Sequence, residues 1–122
     1  MGRKILRFAS WKNPDDIFQA IKTGDKTIET RPATAKYQAI QKGDELSLLS
    51  LESGEEITKI VDWIHYYQTI EEMAKKEEVN KIVPGVKTAE ELIEVFEEFK
   101  RKWGKEYASN LKQYGIVVFG LK

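Results

Sequence analysis

Residues 23–32 read T-G-D-K-T-I-E-T-R-P and bring Lys26, Glu29 and Arg31 close together in the sequence. A Gly-Asp turn leads into a short run rich in β-branched residues, which predicts a strand that ends at Pro32. Side chains alternate along a strand, so Glu29 and Arg31 share one face while Ile28 points to the other. Such a pair forms either a solvent-exposed ion pair or part of a ligand cleft. Spacing alone favours the exposed pair, which would contribute about 0–1 kcal/mol to stability.

The composition is that of a globular protein, with 41% hydrophobic and 33% charged residues among 122. This length predicts one domain over residues 1–122. The chain has no cysteine and one histidine, which excludes disulfides, thiolate catalysis and Cys/His zinc sites, so we expect neither a metal nor another cofactor. No apolar run approaches the ~20 residues of a membrane span, and the first residues lack the apolar core of a signal peptide. We therefore expect a cytoplasmic protein that does not associate with membranes.

The net charge is zero, with 20 basic and 20 acidic residues, but the charges are unevenly distributed. Residues 1–44 carry nine Lys or Arg against five Asp or Glu, whereas residues 45–122 carry eleven against fifteen. A protein held to nucleic acid mainly by counterion release is normally basic overall. Any nucleic-acid contact should therefore be local and involve the N-terminal part, although ordinary solvated charge explains the same distribution.

Hydrophobic periodicity and turn residues predict short strands with helices inserted between them. We expect helices near residues 13–24, begun by Asn13, and 35–40, and strands at residues 3–8, 25–31, 45–53, 55–67 and 114–122. Two further helices begin with Thr-x-x-Glu capping boxes, at residues 69–72 and 88–91. Because the helices do not alternate regularly with the strands, the pattern predicts an α+β protein. We expect a small mixed β-barrel of about five to six strands, with its terminal strands paired and helices packed on it.

Aromatic residues are concentrated in D-W-I-H-Y-Y, residues 62–67. Alternation places Trp63, His65 and Tyr67 on one face of the predicted strand. Aromatic faces stack on unpaired bases for ~1–3 kcal/mol each, and Tyr67, at the strand end, is the best candidate for such a contact. The same pattern also suits a strand packed beneath helices. His65 has no neighbouring ligands in the sequence, so a metal site is not expected there.

Residues 24–31 match the G-x-K-x-x-E-x-R signature of ASCH domains, which belong to the PUA-like superfamily of small β-barrels. The chain resembles this family over nearly its whole length, because its other elements follow the family's order. These elements are the helix before the motif, the I-Q-K-G-D-E-L turn, the T-I-E-E-M helix, the I-V-P-G turn and the final Y-G-I-V-V-F-G-L strand. The resemblance implies a cleft between barrel and helices, lined by Lys26, Glu29 and Arg31. PUA-like relatives generally handle RNA or modified nucleobases, so it also implies RNA or a nucleoside as the ligand.

Each residue of this motif has chemistry that suits a nucleoside site. Arg31 offers a planar fork for a phosphate or a carbonyl-bearing base. Glu29 is able to accept a hydrogen bond from an exocyclic amine, and Lys26 supplies a cation that burial can convert to a base. Tyr37 and Tyr67 would add aromatic contacts to the ligand.

Some small ASCH-like proteins are amidohydrolases that remove the acyl group of acetylated cytidine with a Lys, a Thr three residues later and a distant Glu. Lys26 matches that Lys, but Glu29 stands in the Thr position, and Glu77 or Glu78 would be the distant acid. The nucleophilic hydroxyl is therefore missing, which leaves water activated by Lys26 with Glu29 or Glu78. Other family members are linked to RNA cleavage. Three hypotheses remain: a domain that binds RNA or a nucleoside, a metal-independent hydrolase of acylated nucleoside or RNA, and a protein-interaction module without a ligand.

Overall fold

The computed structural model of the protein describes residues 3–8 and 14–122, so the predicted cap Asn13 lies outside the described residues. The strands are β1 (Arg3–Phe8), β2 (Ile28–Pro32), β3 (Glu45–Ser50), β4 (Glu56–Tyr67) and β5 (Ile116–Leu121). The helices are α1 (Pro14–Thr23), α2 (Ala35–Gln38), α3 (Ile70–Lys76), α4 (Val79–Ile82) and α5 (Ala89–Tyr114). Helix α4 lies where the sequence indicated only a turn. None of the described helices is both long and apolar enough to cross a membrane.

The two capping boxes form as predicted. Thr69 accepts a hydrogen bond from the Glu72 amide at 3.1 Å, and Thr88 accepts one from the Glu91 amide at 3.1 Å. Helix α5 is kinked at Gly104, whose φ of +87° suits glycine because it has no Cβ to clash. The kink directly follows Trp103, which is 38% exposed although helical spacing groups it with buried residues of the same helix.

The five strands form one sheet in the order β1-β3-β4-β5-β2, with β1 parallel to β3 and the other pairs antiparallel. This confirms the α+β class. Four of these strands, β2 to β5, pair in antiparallel fashion and form a curled half-barrel, which is fewer than the five to six strands predicted. Strand β1 extends the sheet by pairing in parallel with β3. The predicted pairing of the terminal strands is wrong, because β1 pairs with β3. Strand β5 is buried at every residue and therefore takes a central position between β4 and β2.

The sheet separates two apolar clusters, which meet opposite faces of β5. On one face Val117 and Phe119 pack with Phe18 and Ile21 of α1. On the other face the sheet packs against α3, α4 and α5, through buried residues that include Val118, Met73, Ile82, Leu92 and Phe96. Strand β2 is an end strand of this sheet. Helices α4 and α5 both contact this strand.

Gly120 of β5 lies directly against the ring of Trp63 on β4. A Cβ at this position would be 2.0 Å from the Cε2 and Nε1 atoms of Trp63, so the ring would have to move. We expect Gly120→Ala to lower the free energy of unfolding by about 3 kcal/mol, at the upper end of the usual cost of overpacking. Urea unfolding measures this loss. In a Trp63→Leu background the same change should cost much less, and equal costs in both backgrounds would contradict the ring contact.

Candidate functional site

A cavity of about 460 Å³ lies beside β2, where α5 and the segment after α4 pass the strand. Its walls come from Lys26 and residues 29–32 of β2, from Ile17 and Tyr37, from residues 82–84 and from one side of α5. The volume falls within the range of about 300–1,000 Å³ that is usual for small-molecule sites. The cavity is therefore large enough for a small organic ligand.

Lys26 connects the edge of β2 to the end of α4. Its side chain is 5% exposed, and its Nζ donates to the carbonyl oxygens of Ile28 at 2.6 Å and Ile82 at 2.5 Å. Glu29 Oε1 lies 3.4 Å from the same nitrogen. An ammonium group has three N–H donors, and these three acceptors match them. Burial lowers the pKa of Lys26, while the carboxylate of Glu29 opposes this effect. The contacts indicate that Lys26 serves as a cross-link within the fold.

Glu29 is the centre of the charged group and is only 6% exposed. Its Oε2 accepts from Arg31 Nε at 3.2 Å and Nη2 at 2.9 Å, and its Oε1 accepts from the Thr30 amide at 3.1 Å and faces Lys26. Burial alone would raise the pKa of Glu29, but the two cations outweigh burial and lower it. A carboxylate has about four acceptor sites, and the protein's own donors occupy them here.

Arg31 extends from this centre toward Tyr37 of α2. Its side chain is 18% exposed, and Nη1 donates to the Tyr37 hydroxyl at 3.4 Å. The guanidinium carbon lies 5.6 Å from the centre of the Tyr37 ring, and Lys36 Nζ lies 5.3 Å from the same ring. The Glu29–Arg31 pair is thus part of a cavity wall and not the solvent-exposed surface pair that spacing alone favoured.

Helix α5 contributes an aromatic wall that was not among the site residues predicted from the sequence. Trp103 stacks on Phe99 with ring centres 4.7 Å apart, and Tyr107 meets Trp103 edge-on at 5.3 Å. Burial raises the pKa of Tyr107, and the negative charge of Glu29 adds to this effect, so the hydroxyl stays protonated. Glu106 and Asn110 add polar groups to the same wall.

Tyr67 and Glu78, the other predicted site residues, do not line this cavity. The Tyr67 hydroxyl donates to Glu77 Oε2, and His65 Nδ1 lies 2.7 Å from the same oxygen. Burial, together with Glu77, raises the pKa of Tyr67 to about 12. Glu78 is exposed at the start of α4. Within residues 3–8 and 14–122, no group of acidic and histidine side chains is arranged to hold a metal ion.

Three solved structures are similar to this chain. The hypothetical protein PH0355 has a TM-score of 0.75 and 27% identity, with 100% of this chain and 98% of that chain covered. Protein PF0455 from Pyrococcus furiosus has a TM-score of 0.64 and 28% identity, with 99% and 94% covered. The ASCH domain from Lactobacillus crispatus JV V101 has a TM-score of 0.65, with 99% and 79% covered.

No protein-family model matches the chain, and no curated protein does. Identity to the Lactobacillus crispatus domain is 12%, so that comparison concerns the fold alone. The fold nevertheless agrees with the one implied by the motif at residues 24–31, and this motif forms one wall of the cavity. The chain has the fold of an ASCH domain.

Proposed function

We propose that the protein binds a nucleoside, or a single unpaired nucleotide of an RNA, in the cavity lined by Lys26, Glu29 and Arg31. One observation carries the proposal: a buried charged group and an aromatic wall face the same cavity of about 460 Å³. A nucleobase is flat and aromatic and has a polar edge, so it needs a stacking surface together with hydrogen-bonding groups. The cavity offers both.

The aromatic wall supports recognition of one base at a time. Trp103 is stacked on Phe99, lines the cavity and is 38% exposed, so it is accessible from solvent. Stacking of a base on such a ring is worth ~1–3 kcal/mol. Tyr37 provides a second ring, next to Arg31. A folded RNA helix buries its bases in stacks, so an RNA ligand would present an unpaired or terminal nucleotide here.

The charge distribution supports few contacts to phosphate groups. The chain has a net charge of zero, and among residues 3–8 and 14–122 the basic side chains that face the Tyr37 ring are Arg31 and Lys36. Each phosphate contact to single-stranded RNA adds about 0.7 to the slope of log affinity against log salt. We therefore expect RNA binding that is only weakly dependent on salt, with most of the affinity supplied by the base.

Binding is better supported than hydrolysis. A general base needs a lone pair, whereas Lys26 Nζ is surrounded by three acceptors that suit an ammonium group. The alternative acid Glu78 is exposed and lies outside the cavity. The hydrolase hypothesis with Lys26 and Glu29 therefore has less support from the geometry, and a module without a ligand leaves the cavity unexplained.

The proposal is tested by adding nucleosides and short single-stranded RNAs to isotope-labelled protein and following the backbone amide resonances. We expect the largest shifts at residues 26–37 and 99–110, which border the cavity. Shifts confined to residues 63–67 would contradict this site, and unchanged spectra would favour the interaction module. The same samples, with acetylated cytidine or RNA present, report hydrolysis. Product formation that disappears in Lys26→Ala would favour the hydrolase instead.

A further inference from the structure

Lys26, Glu29 and Arg31 form the charged wall of the cavity. The carboxylate oxygens of this wall already accept hydrogen bonds from the protein itself. Both carboxylate oxygens of Glu29 accept from protein donors, namely the Thr30 amide and two nitrogens of Arg31, and Lys26 lies 3.4 Å away. The cations on both sides also lower the pKa of Glu29 and keep the carboxylate ionised. A ligand amino group that approached this wall would have to displace one of these charge-assisted bonds, which are the strong class of hydrogen bond.

The side chains around Glu29 present donors. A guanidinium carries five N–H groups and no acceptor, so whatever atom contacts Arg31 must itself accept. The oxygen of Tyr37 accepts from Arg31 Nη1, which leaves the hydroxyl hydrogen of Tyr37 as a donor. The hydroxyl of Tyr107, which lines the same cavity, stays protonated. The half-buried side chains of Arg31, Tyr37 and Tyr107 therefore make the region around the buried Glu29 rich in donors.

We infer that the cavity selects a base that presents a carbonyl oxygen, and not an amino group, to the wall formed by Glu29, Arg31 and Tyr37. The inference rests on the proposed function, because it names the chemical class of base that the same cavity accepts. A carbonyl oxygen would receive a hydrogen bond from the Tyr37 hydroxyl, whose oxygen already accepts from Arg31. An amino group there would face donors, lose its bonds to water and gain no acceptor in return.

The carboxylate of Glu106 on α5 does not remove this preference. Glu106 lines the cavity but is exposed to solvent. A hydrogen bond to an exposed carboxylate replaces one that the amino group already makes to water, so it contributes little to discrimination. The penalty for a mismatched group arises in the buried part of a site, where water does not replace the missing partner. Selection should therefore follow the less exposed wall around Glu29 and not the exposed Glu106.

Two matched pairs of nucleosides test the inference. Within each pair a carbonyl group replaces an amino group, and the adjacent ring nitrogen changes from an acceptor to an N–H donor. These are inosine against adenosine and uridine against cytidine, with dissociation constants measured by calorimetric titration of the full chain. We expect the carbonyl member to bind about tenfold more tightly in both pairs. Equal or tighter binding of the amino member in either pair would overturn the inference while leaving the proposed function in place. Absence of binding by all four would overturn the proposed function and the inference with it.

A variant assigns the preference to the wall. Tyr37→Phe removes one donor and keeps the ring. The ratio of the two dissociation constants within each nucleoside pair should therefore fall by several-fold, while the protein stays folded. Tyr66→Phe is the matched control, because Tyr66 is exposed on β4 and does not line the cavity. An unchanged preference in Tyr37→Phe, or an equal narrowing in both variants, would contradict the assignment to this wall.

Discussion

Glu29→Ala is expected to lower the free energy of unfolding by about 3–5 kcal/mol, the usual cost of removing one partner from a buried ion pair. The carboxylate lies 3.4 Å from Lys26 Nζ and 2.9 Å from Arg31 Nη2, and the residue is 6% exposed. Without it, two cations remain close together in a wall shielded from water. Domains are commonly stable by only about 5–15 kcal/mol, so the variant should be marginally folded. Urea unfolding followed by circular dichroism measures the change.

Glu106→Ala is the matched control for this prediction. It makes the same substitution in a residue that lines the same cavity, but Glu106 is exposed. Exposed substitutions of this kind usually change stability by about 0.5 kcal/mol or less. Similar losses in both variants would show that Glu29 is not the centre of a buried charged group.

The pH dependence of stability gives a second readout of the same contact. The pKa of Glu29 is lowered in the folded protein by Lys26 and Arg31, against the opposing effect of burial. Between the folded and unfolded pKa values the unfolded chain binds more protons, so stability increases with pH there. The contribution is complete above the unfolded value of about 4.3 and is lost as the pH falls through the lower folded value. Wild-type protein should therefore lose more stability than Glu29→Gln between neutral and acidic pH.

Features that depend on neighbouring residues were predictable from the sequence. The capping boxes formed, because a Thr and the amide three residues later are close in any helix start. The alternation along residues 62–67 also held, since the rings of Trp63, His65 and Tyr67 contact one another in sequence order. The resemblance at residues 24–31 indicated the fold and the position of the charged wall.

Features that depend on distant residues were not predictable. The Lys26 ammonium bonds to the carbonyl of Ile82, 56 residues away, in a short helix that the sequence did not indicate. Trp103 and Tyr107 recur at helical spacing. This spacing is the same whether a helix face packs into a hydrophobic core or lines a cavity, so the sequence did not distinguish the two. The predicted pairing of the terminal strands was wrong for a similar reason, because β1 pairs with β3, where Glu45 lies opposite Arg3.

Arg31→Ala is expected to weaken nucleoside binding by about 10- to 100-fold, the effect of losing a hydrogen bond from a charged group. The guanidinium forms the donor part of the wall and lies beside the Tyr37 ring. The substitution also removes a partner of Glu29, so unfolding must be measured in parallel to show that the variant is folded. Arg31→Lys keeps the charge but loses the planar fork and should bind with intermediate affinity.

Whether this cavity holds the ligand is tested by comparing the affinity for inosine and uridine in wild-type protein, Arg31→Ala and Arg101→Ala. Arg101 is an exposed residue of α5 that does not line the cavity, so it controls for the loss of one positive charge. We predict that Arg101→Ala binds as wild type does, within about twofold, whereas Arg31→Ala loses about 10- to 100-fold in affinity. Equal affinity of folded Arg31→Ala and wild type would contradict the claim that this cavity holds the ligand.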